Sequence, residues 1–421
     1  MKKSVKIRKL IYEIIYDIYQ KNLNFDESYY SFTKNTTINE IDRSMIFSVV
    51  LNSMRNNIYI TSTLNQYLKK RTSRKIKILL LSAITQILYL NFKDYAVTND
   101  TVEVAKIKKL NPGLVNSLLK NLIKNRVKIN KKKINLKIIP EFIKVDLKDK
   151  NIGVDKFFET IAKEPSLHLV FKNKKLLDHF EEENIRTTET SAFLTERKKI
   201  PEIYDYNKGS WWVQDFASML PIYLCSEFNS KKIIDMCSAP GGKAFQNLSL
   251  GNDTTLVDVS KKRIEILKKN LNRLKFKCKI LNSNALNISE NEYFDVVVLD
   301  SPCSGLGTVR RNPEIFFKKA PPNIEKLNEI QSNLINKASK LVKKNGVLLY
   351  MVCSFLLKET KNIKENFLKN NKHFSQLKFI IDNQSDLYQF IDEEGDINCM
   401  PSEFKGFMVD GFYAVKFIKN A

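Results

Sequence analysis

The chain has 421 residues, with 70 Lys and Arg against 46 Asp and Glu, a formal charge of +24. Single hydrophobic cores stop growing at about 250 residues, so two or three domains are expected. A composition 43% hydrophobic and 28% charged excludes a disordered chain, and the charge points to a polyanion, either nucleic acid or an anionic membrane surface.

Lys, Ile and Asn are abundant and Gly, Arg and Ala scarce, the bias an AT-rich genome imposes on any protein. Distribution separates bias from function. Residues 1–150 hold 30 Lys/Arg and 12 Asp/Glu, net +18, and the remainder 40 and 34, net +6. The concentrated excess marks the N-terminal part as an electrostatic footprint on RNA or DNA.

The basic start (Lys2, Lys3, Lys6, Arg8, Lys9) is followed by Leu10–Tyr19, which contains Glu13 and Asp17 and reads as an amphipathic helix rather than a signal peptide. Residues 1–127 read as helical throughout. Leu10, Ile11, Ile14, Ile15 and Ile18 recur at helical spacing, as do Ile46, Val49, Val50 and Met54, and Leu79, Leu80, Ala83, Ile84, Ile87 and Leu88. The longest apolar stretch, Ile78–Leu90, is too short for a bilayer, which needs about 20 apolar residues, so no membrane partner is expected. Asn111-Pro112-Gly113 marks a turn before a helix at Leu114–Val127. The Lys-rich segment 128–150, with Lys131-Lys132-Lys133 and Pro140, reads as a linker. From 151 to 208 a strand at Leu167–Phe171 and a helix at Leu176–Glu183 suggest a small α+β module. The expected division is an all-α domain at 1–130, linker and module at 131–208, and a third domain at 209–421.

From 209 short apolar runs alternate with amphipathic helices. Strands are expected at Ile233–Cys237, Thr254–Val259, Cys278–Asn282, Phe294–Asp300, Val347–Cys353 and Gly411–Lys419. Helices are expected at Lys243–Leu250, Lys261–Leu274, Ile324–Lys343 and Lys358–Lys369. This rhythm predicts a multidomain chain ending in a doubly wound, Rossmann-like α/β domain of about seven strands. Ligands then belong beyond the carboxyl ends of the strands. The first strand runs into Cys237, Ser238, Ala239, Pro240, Gly241, Gly242 and Lys243, where the glycines permit a sharp turn and close backbone approach to a ligand. The spacing is neither G-x-x-x-x-G-K-[ST] nor G-x-G-x-x-G. Asp258, ending the second strand, can accept ribose hydroxyls or cap the helix that starts near Ser260. These residues say nucleoside cofactor without saying which.

Six cysteines occur, at 225, 237, 278, 303, 353 and 399, with no C-x-x-C and only three His. A metal site is not expected, and a reduced, cytoplasmic compartment fits best. Cys225, Cys278 and Cys399 read as inert packing residues. Cys303 and Cys353 stand at the C-terminal edges of two core strands beside Asp300, Ser304 and Ser354, and a thiolate there could attack an electrophilic ring carbon.

The series D-x-C-x-A-P-G-G-K (235–243), D-x-P-C-S-G-x-G-x-x-R-R-N-P-E (300–314) and C-S (353–354) resembles the RNA cytosine-5 methyltransferases of the Sun/Fmu (Rsm, Nol1/Nop2) family. Val213-Gln214-Asp215, Pro401 and Asp410-Gly411-Phe412 resemble further elements of that family. The helical part resembles NusB, an RNA-binding factor, at Asp42-Arg43, Leu64–Leu68, Gln86–Tyr89, Thr101–Ala105 and Leu118–Arg126. A NusB-like domain fused to such a methyltransferase is the arrangement of the family's branch acting on bacterial small-subunit rRNA. The resemblance implies S-adenosylmethionine as cofactor and RNA, small-subunit rRNA first, as partner; a monomer is expected. It implies Cys353 as nucleophile on cytosine carbon six, Cys303 as the group that assists loss of the carbon-five proton, and Asp300 at ring nitrogen three. It places Lys243 beside the pocket, 237–243 around the methionine part, Asp258 on the ribose and Asn284 near the adenine, with Asp300 also a cofactor-binding residue. Asn284 replaces a usual Asp and Ser238 a usual Ala. Leu169–Asn173 stands where the family carries an Arg-x-Asn element, and Phe355–Glu359 where it prefers Pro and paired acids. Arg310 and Arg311 could hold phosphates or an acidic loop, or form a solvated basic patch. A tRNA substrate and a noncatalytic assembly role remain the alternatives.

Overall fold

A computed structural model describes residues 1–34, 37–68, 72–124, 139, 141–150, 152–225 and 228–420. The Lys131–Lys133 run, Pro140, the end of the helix expected at Leu114–Val127 and most of the linker lie outside the described residues. The chain divides into two compact units, 1–163 with 309–322, and 164–308 with 323–421.

The first unit is helical: α1 (Lys3–Lys21), α2 (Phe25–Thr33), α3 (Glu40–Arg55), α4 (Asn57–Tyr67), α5 (Arg74–Ile84), α6 (Asp94–Ile107), α7 (Pro112–Lys124), α8 (Glu141–Asp149) and α9 (Val154–Ala162). Starts are set by polar caps. Asn39 and Ser73 accept the N–H groups of Asp42 and Ile76, and Asn24 and Glu27 form a reciprocal capping box. The periodic face of α1 is fully buried at Ile11, Ile14, Ile15 and Ile18, each contributing roughly 1.5–3 kcal/mol by burial. Segment 309–322 belongs to this unit because Phe317 enters its core and the Glu314 carboxylate accepts the Phe25 N–H at 3.3 Å. Arg310 is fully buried, its Nε donating to the Thr160 carbonyl at 3.3 Å, so it is not part of a solvated patch, while Arg311 is half-buried.

The second unit begins with β1 (His168–Phe171), α10 (Lys174–Asp178), β2 (Asn184–Thr188), β3 (Ser191–Leu194) and β4 (Trp211–Val213). The strands form an antiparallel sheet, β2-β3-β1-β4. The helix expected at Leu176–Glu183 is shorter and earlier: Asn173 caps it by accepting the Leu176 N–H, and Phe180 turns into the module core. The compact units cut the chain elsewhere than 130/131 and 208/209. Alternation along β4 explains the upper difference, since Trp211 enters the module core and Trp212 the core of the larger sheet.

After α11 (Phe216–Tyr223) come β5 (Lys232–Met236), α12 (Gly242–Ser249), β6 (Asp253–Asp258), α13 (Lys261–Leu274), β7 (Lys279–Asn282), β8 (Phe294–Asp300), α14 (Ile324–Leu341), β9 (Val342–Val352) and α15 (Lys361–Asn370). The short strands β10 (Phe374–Leu377), β11 (Ile397–Cys399), β12 (Ser402–Phe404) and β13 (Phe407–Val409) precede β14 (Phe412–Lys419). The main sheet runs β10-β14-β9-β8-β5-β6-β7, with β11 also on β14. Strands β5 to β9 are parallel neighbours, and β14 is antiparallel to β9. This is a Rossmann-like α/β domain with an antiparallel edge. Alternate residues feed two cores: Ile233, Leu256, Val298 and Leu349 on one face, Ile234, Val257, Val297 and Leu348 on the other.

Candidate active site

From β5 the sheet extends to β6 and β7 on one side and to β8 and β9 on the other. Diverging loops open a crevice at such a reversal. Here the segments after β5 (Cys237–Gly241), β8 (Ser301–Thr308) and β9 (Cys353–Leu356) leave from one edge. Gly241 begins α12 at φ 116°, and a Cβ there would lie 2.3 Å from Phe245 Cζ. The nearest atoms to Gly242's missing Cβ are in the Gln214 side chain, at 3.3 Å. The glycines thus make the turn by closing on the fold's own side chains.

Cys303 Sγ and Cys353 Sγ lie 3.3 Å apart, and both thiols are free and half-buried. Their hydrogen bond and then burial push the Cys303 thiol well above its usual range. Beside them Lys243 Nζ donates to Asp300 Oδ2 at 2.8 Å and sits 4.9 Å from the Phe412 ring centroid. Burial alone would lower the Lys243 ammonium. The charge and hydrogen bond of Asp300, with the Cys353 thiol, outweigh it and leave Lys243 above its ordinary value. The structure therefore brings Lys243, Asp300, Cys303 and Cys353 to one crevice.

Two features outside the sequence reading hold this cluster. The fully buried Glu359 accepts the Ser304 N–H at 2.8 Å, the Ser304 and Ser354 hydroxyls at 2.5 Å each, and Gln331 Nε2 at 3.0 Å. One carboxylate thereby ties the residue after each cysteine. The Gly307 N–H donates to the Cys353 carbonyl at 3.0 Å, and the Gly411 N–H to the Gly307 carbonyl at 2.8 Å. The Asp410 N–H reaches Asp215 Oδ2 at 3.4 Å, while Asp215 Oδ1 accepts the Ala217 N–H at 2.9 Å. The motifs at 213–215, 303–307, 353 and 410–412 therefore converge.

On the β5–β7 side, Asp235 is buried with neither carboxylate oxygen hydrogen-bonded. Burial, then the Asp300 charge, pushes it well above the usual carboxylate range. Burial and the charges of Asp300, Asp258 and Asp235 push the Cys237 thiol up to about 12. Ser238 donates both its N–H and its hydroxyl to the Val257 carbonyl, at 3.0 and 3.3 Å, and Ala239 is buried while Pro240 is exposed. Asp258 Oδ2 accepts the Ala239 N–H at 3.2 Å and Oδ1 the Ser260 N–H at 2.9 Å. The α13 cap is Ser260, which accepts the Arg263 N–H. Asp258 thus braces the glycine loop, and its Oδ2 also pairs with Arg263 Nη1 at 3.3 Å. Val259 beside it is 70% exposed, an apolar surface at the strand's end. Asn284 is exposed after β7, its Oδ1 accepting the Leu286 N–H at 3.0 Å. Of the other cysteines, Cys225 and Cys399 are buried, and burial raises Cys278 to about 11.

Comparison with known proteins gives two family matches: the 16S rRNA methyltransferase RsmB/F model over residues 222–418 and the NusB family over residues 5–124. The chain is 33% identical over 186 residues to ribosomal RNA small subunit methyltransferase B of Shewanella oneidensis, spanning 43% of this chain and 44% of that protein. That alignment covers less than half the relative's length. The protein of the same description from Pasteurella multocida is 26% identical over 389 residues, spanning 86% of this chain and 84% of its own. The crystal structure of PH0851 superposes with a TM-score of 0.70 at 20% identity, over 100% of this chain and 99% of that one. This last likeness concerns the fold.

Proposed function

The chain belongs to the 16S rRNA methyltransferase RsmB/F family through residues 222–418 and to the NusB family through residues 5–124, and from this we propose that it methylates carbon five of a cytosine in 16S rRNA. The observation that carries the reading is the pair of thiols 3.3 Å apart beside the Lys243–Asp300 pair. S-adenosylmethionine would supply an electrophilic methyl group.

The residues fit that cofactor. The unpartnered carboxylate of Asp235 suits its cationic methionine end, and Asp258 would accept ribose hydroxyls through Oδ1, which takes the Ser260 N–H. The 237–243 loop would hold the methionine part, and Val259 and Asn284 would meet the adenine. On the substrate side Cys353 would bond to carbon six of an unstacked cytosine, making carbon five nucleophilic. Asp300, held by Lys243, would pass the Cys353 thiol proton to ring nitrogen three as the sulfur–carbon bond forms and hold the protonated nitrogen as acceptor. Cys303 would take the carbon-five proton, after which the Cys353–carbon bond breaks. The Cys303 thiol is raised chiefly by its hydrogen bond to Cys353. That bond is lost once Cys353 joins the base, so Cys303 becomes more acidic at the step that needs its thiolate. In this scheme residues 1–130 grip RNA and 209–421 carry the reaction. Free thiols this close suit a reducing, cytoplasmic compartment.

Methyl transfer from labelled S-adenosylmethionine to unmodified 16S rRNA and to tRNA tests the reading. We expect label in 16S rRNA, loss of transfer in Cys353→Ala, and a denaturation-resistant RNA–protein adduct in Cys303→Ala. Retained transfer in Cys353→Ala would remove that residue as nucleophile, and label confined to tRNA would move the substrate.

A further inference from the structure

A cavity of about 270 Å3 opens in the first unit, lined by residues of that unit alone. Among the described residues four cations line it, Arg55, Arg74, Lys318 and Lys319, and no Asp or Glu. Glu314, the acid in the same loop, turns away to the Phe25 N–H. The Arg74 guanidinium lies 4.2 Å from the Tyr19 ring centroid and 5.6 Å from that of Phe317. Its Nε is buried without a hydrogen-bond partner. Burial holds its pKa below the ordinary value. A buried N–H donor without an acceptor costs about 1–3 kcal/mol, more when charged, and an entering anion would offset that cost. Lys318 Nζ is held by Asn24 Oδ1 at 2.6 Å, while Lys319 is exposed at the rim.

Aromatic faces and guanidinium planes are what proteins use to take up unstacked bases, and clustered cations take the adjoining phosphate. At about 270 Å3 the space lies at the small end of ligand pockets, which begin at roughly 300 Å3, so it takes one nucleotide at most and excludes a duplex. We propose that this cavity binds a single unstacked nucleotide, its base against Tyr19 and the half-buried Phe316 and its phosphate on Arg74 and Lys319. The inference deepens the RNA reading above, since RNA would be the source of that nucleotide. A free nucleotide carries the same chemistry.

The test uses the full-length protein and 16S rRNA fragments substituted with 4-thiouridine, with photo-crosslinked peptides mapped by mass spectrometry. We expect crosslinks at Tyr19 or Phe316. Lys319→Glu, an exposed change, should remove them and weaken RNA binding about tenfold, the scale of one lost charge-assisted contact. S-adenosylmethionine binding should stay as in the wild type. Arg74→Met should do the same where it folds. Competition by cytidine monophosphate would identify a free nucleotide as a sufficient ligand, and crosslinks resistant to it would assign the site to RNA. Crosslinks absent from both residues, or a Lys319→Glu protein with unchanged affinity and crosslinks, would overturn the site. Crosslinks persisting in a protein without methyl transfer would leave the site standing and remove the proposed reaction.

Discussion

The 3.3 Å contact between Cys303 and Cys353 couples their protons, and the coupling has a measurable sign. The contact is the largest cause of the raised Cys303 thiol, with burial second. Removing the partner sulfur in Cys353→Ala should lower the Cys303 pKa while burial keeps it above the ordinary thiol value. The pH at which Cys303 reacts half-maximally with iodoacetamide should therefore move down relative to wild type, read at Cys303 by peptide mapping. An unchanged profile would show that the sulfur contact does not control Cys303. Residues that end a strand with distinctive chemistry were legible in the sequence: Asp300, Cys303, Cys353 and Lys243 all stand at predicted strand or helix ends. Glu359 was not. It lies six residues past Cys353 in a stretch read only as a departure from a motif. Its partners Ser304 and Gln331 are 55 and 28 residues away in sequence, so only the fold reveals that one carboxylate ties both cysteine loops. Asp235 was visible as a letter in the motif. Its lack of any partner depends on burial, which spacing cannot report.

The loops are joined at elements without functional side chains. A Cβ on Gly307 would lie 2.0 Å from the Gly411 carbonyl oxygen and 3.0 Å from the Cys353 carbonyl oxygen. Backbone cannot yield as a side chain can, so Gly307→Ala must move the β14 entry or the segment after β9. Overpacking of this kind costs about 1–3 kcal/mol, or several degrees of thermal midpoint for a unit of this size at about 2–4 °C per kcal/mol. Methyl transfer should fall with it, because the displaced backbone carries Cys353. Thermal denaturation and the methyl-transfer assay check this, and a Gly307→Ala protein equal to wild type in both would remove the junction from the mechanism. Elements were read well where one period dominated: β8 and α13 agree with expectation residue for residue. They were missed where pairing overrode pattern. β9 begins at Val342 rather than Val347, because an irregularity around Asn345, at φ 59°, lets the polar Lys343–Asn345 join the strand. α15 begins at Lys361 rather than Lys358, because the preceding turn points Glu359 inward.

At the scale of the whole chain, the charge follows the compact units more closely than the boundaries read from sequence. Residues 1–163 with 309–322 hold 36 Lys/Arg and 15 Asp/Glu, net +21, leaving 34 and 31, net +3, for the second unit. A truncation at 150 would cut through the first unit and strand segment 309–322, so the role of this charge is better tested in the intact protein. Lys2, Lys6, Lys109 and Lys120 are exposed, as are Lys261, Lys268, Lys269 and Lys372 in the second unit. Each phosphate contact contributes about 0.7–0.9 to the slope of log affinity against log salt. Replacing the first four by Gln should flatten that slope by about one or more, and replacing the second four should leave it nearly unchanged. S-adenosylmethionine binding should be the same in both. Equal slopes in the two variants would mean that the lysine excess of the first unit does not face RNA, and compositional bias would then suffice to explain it.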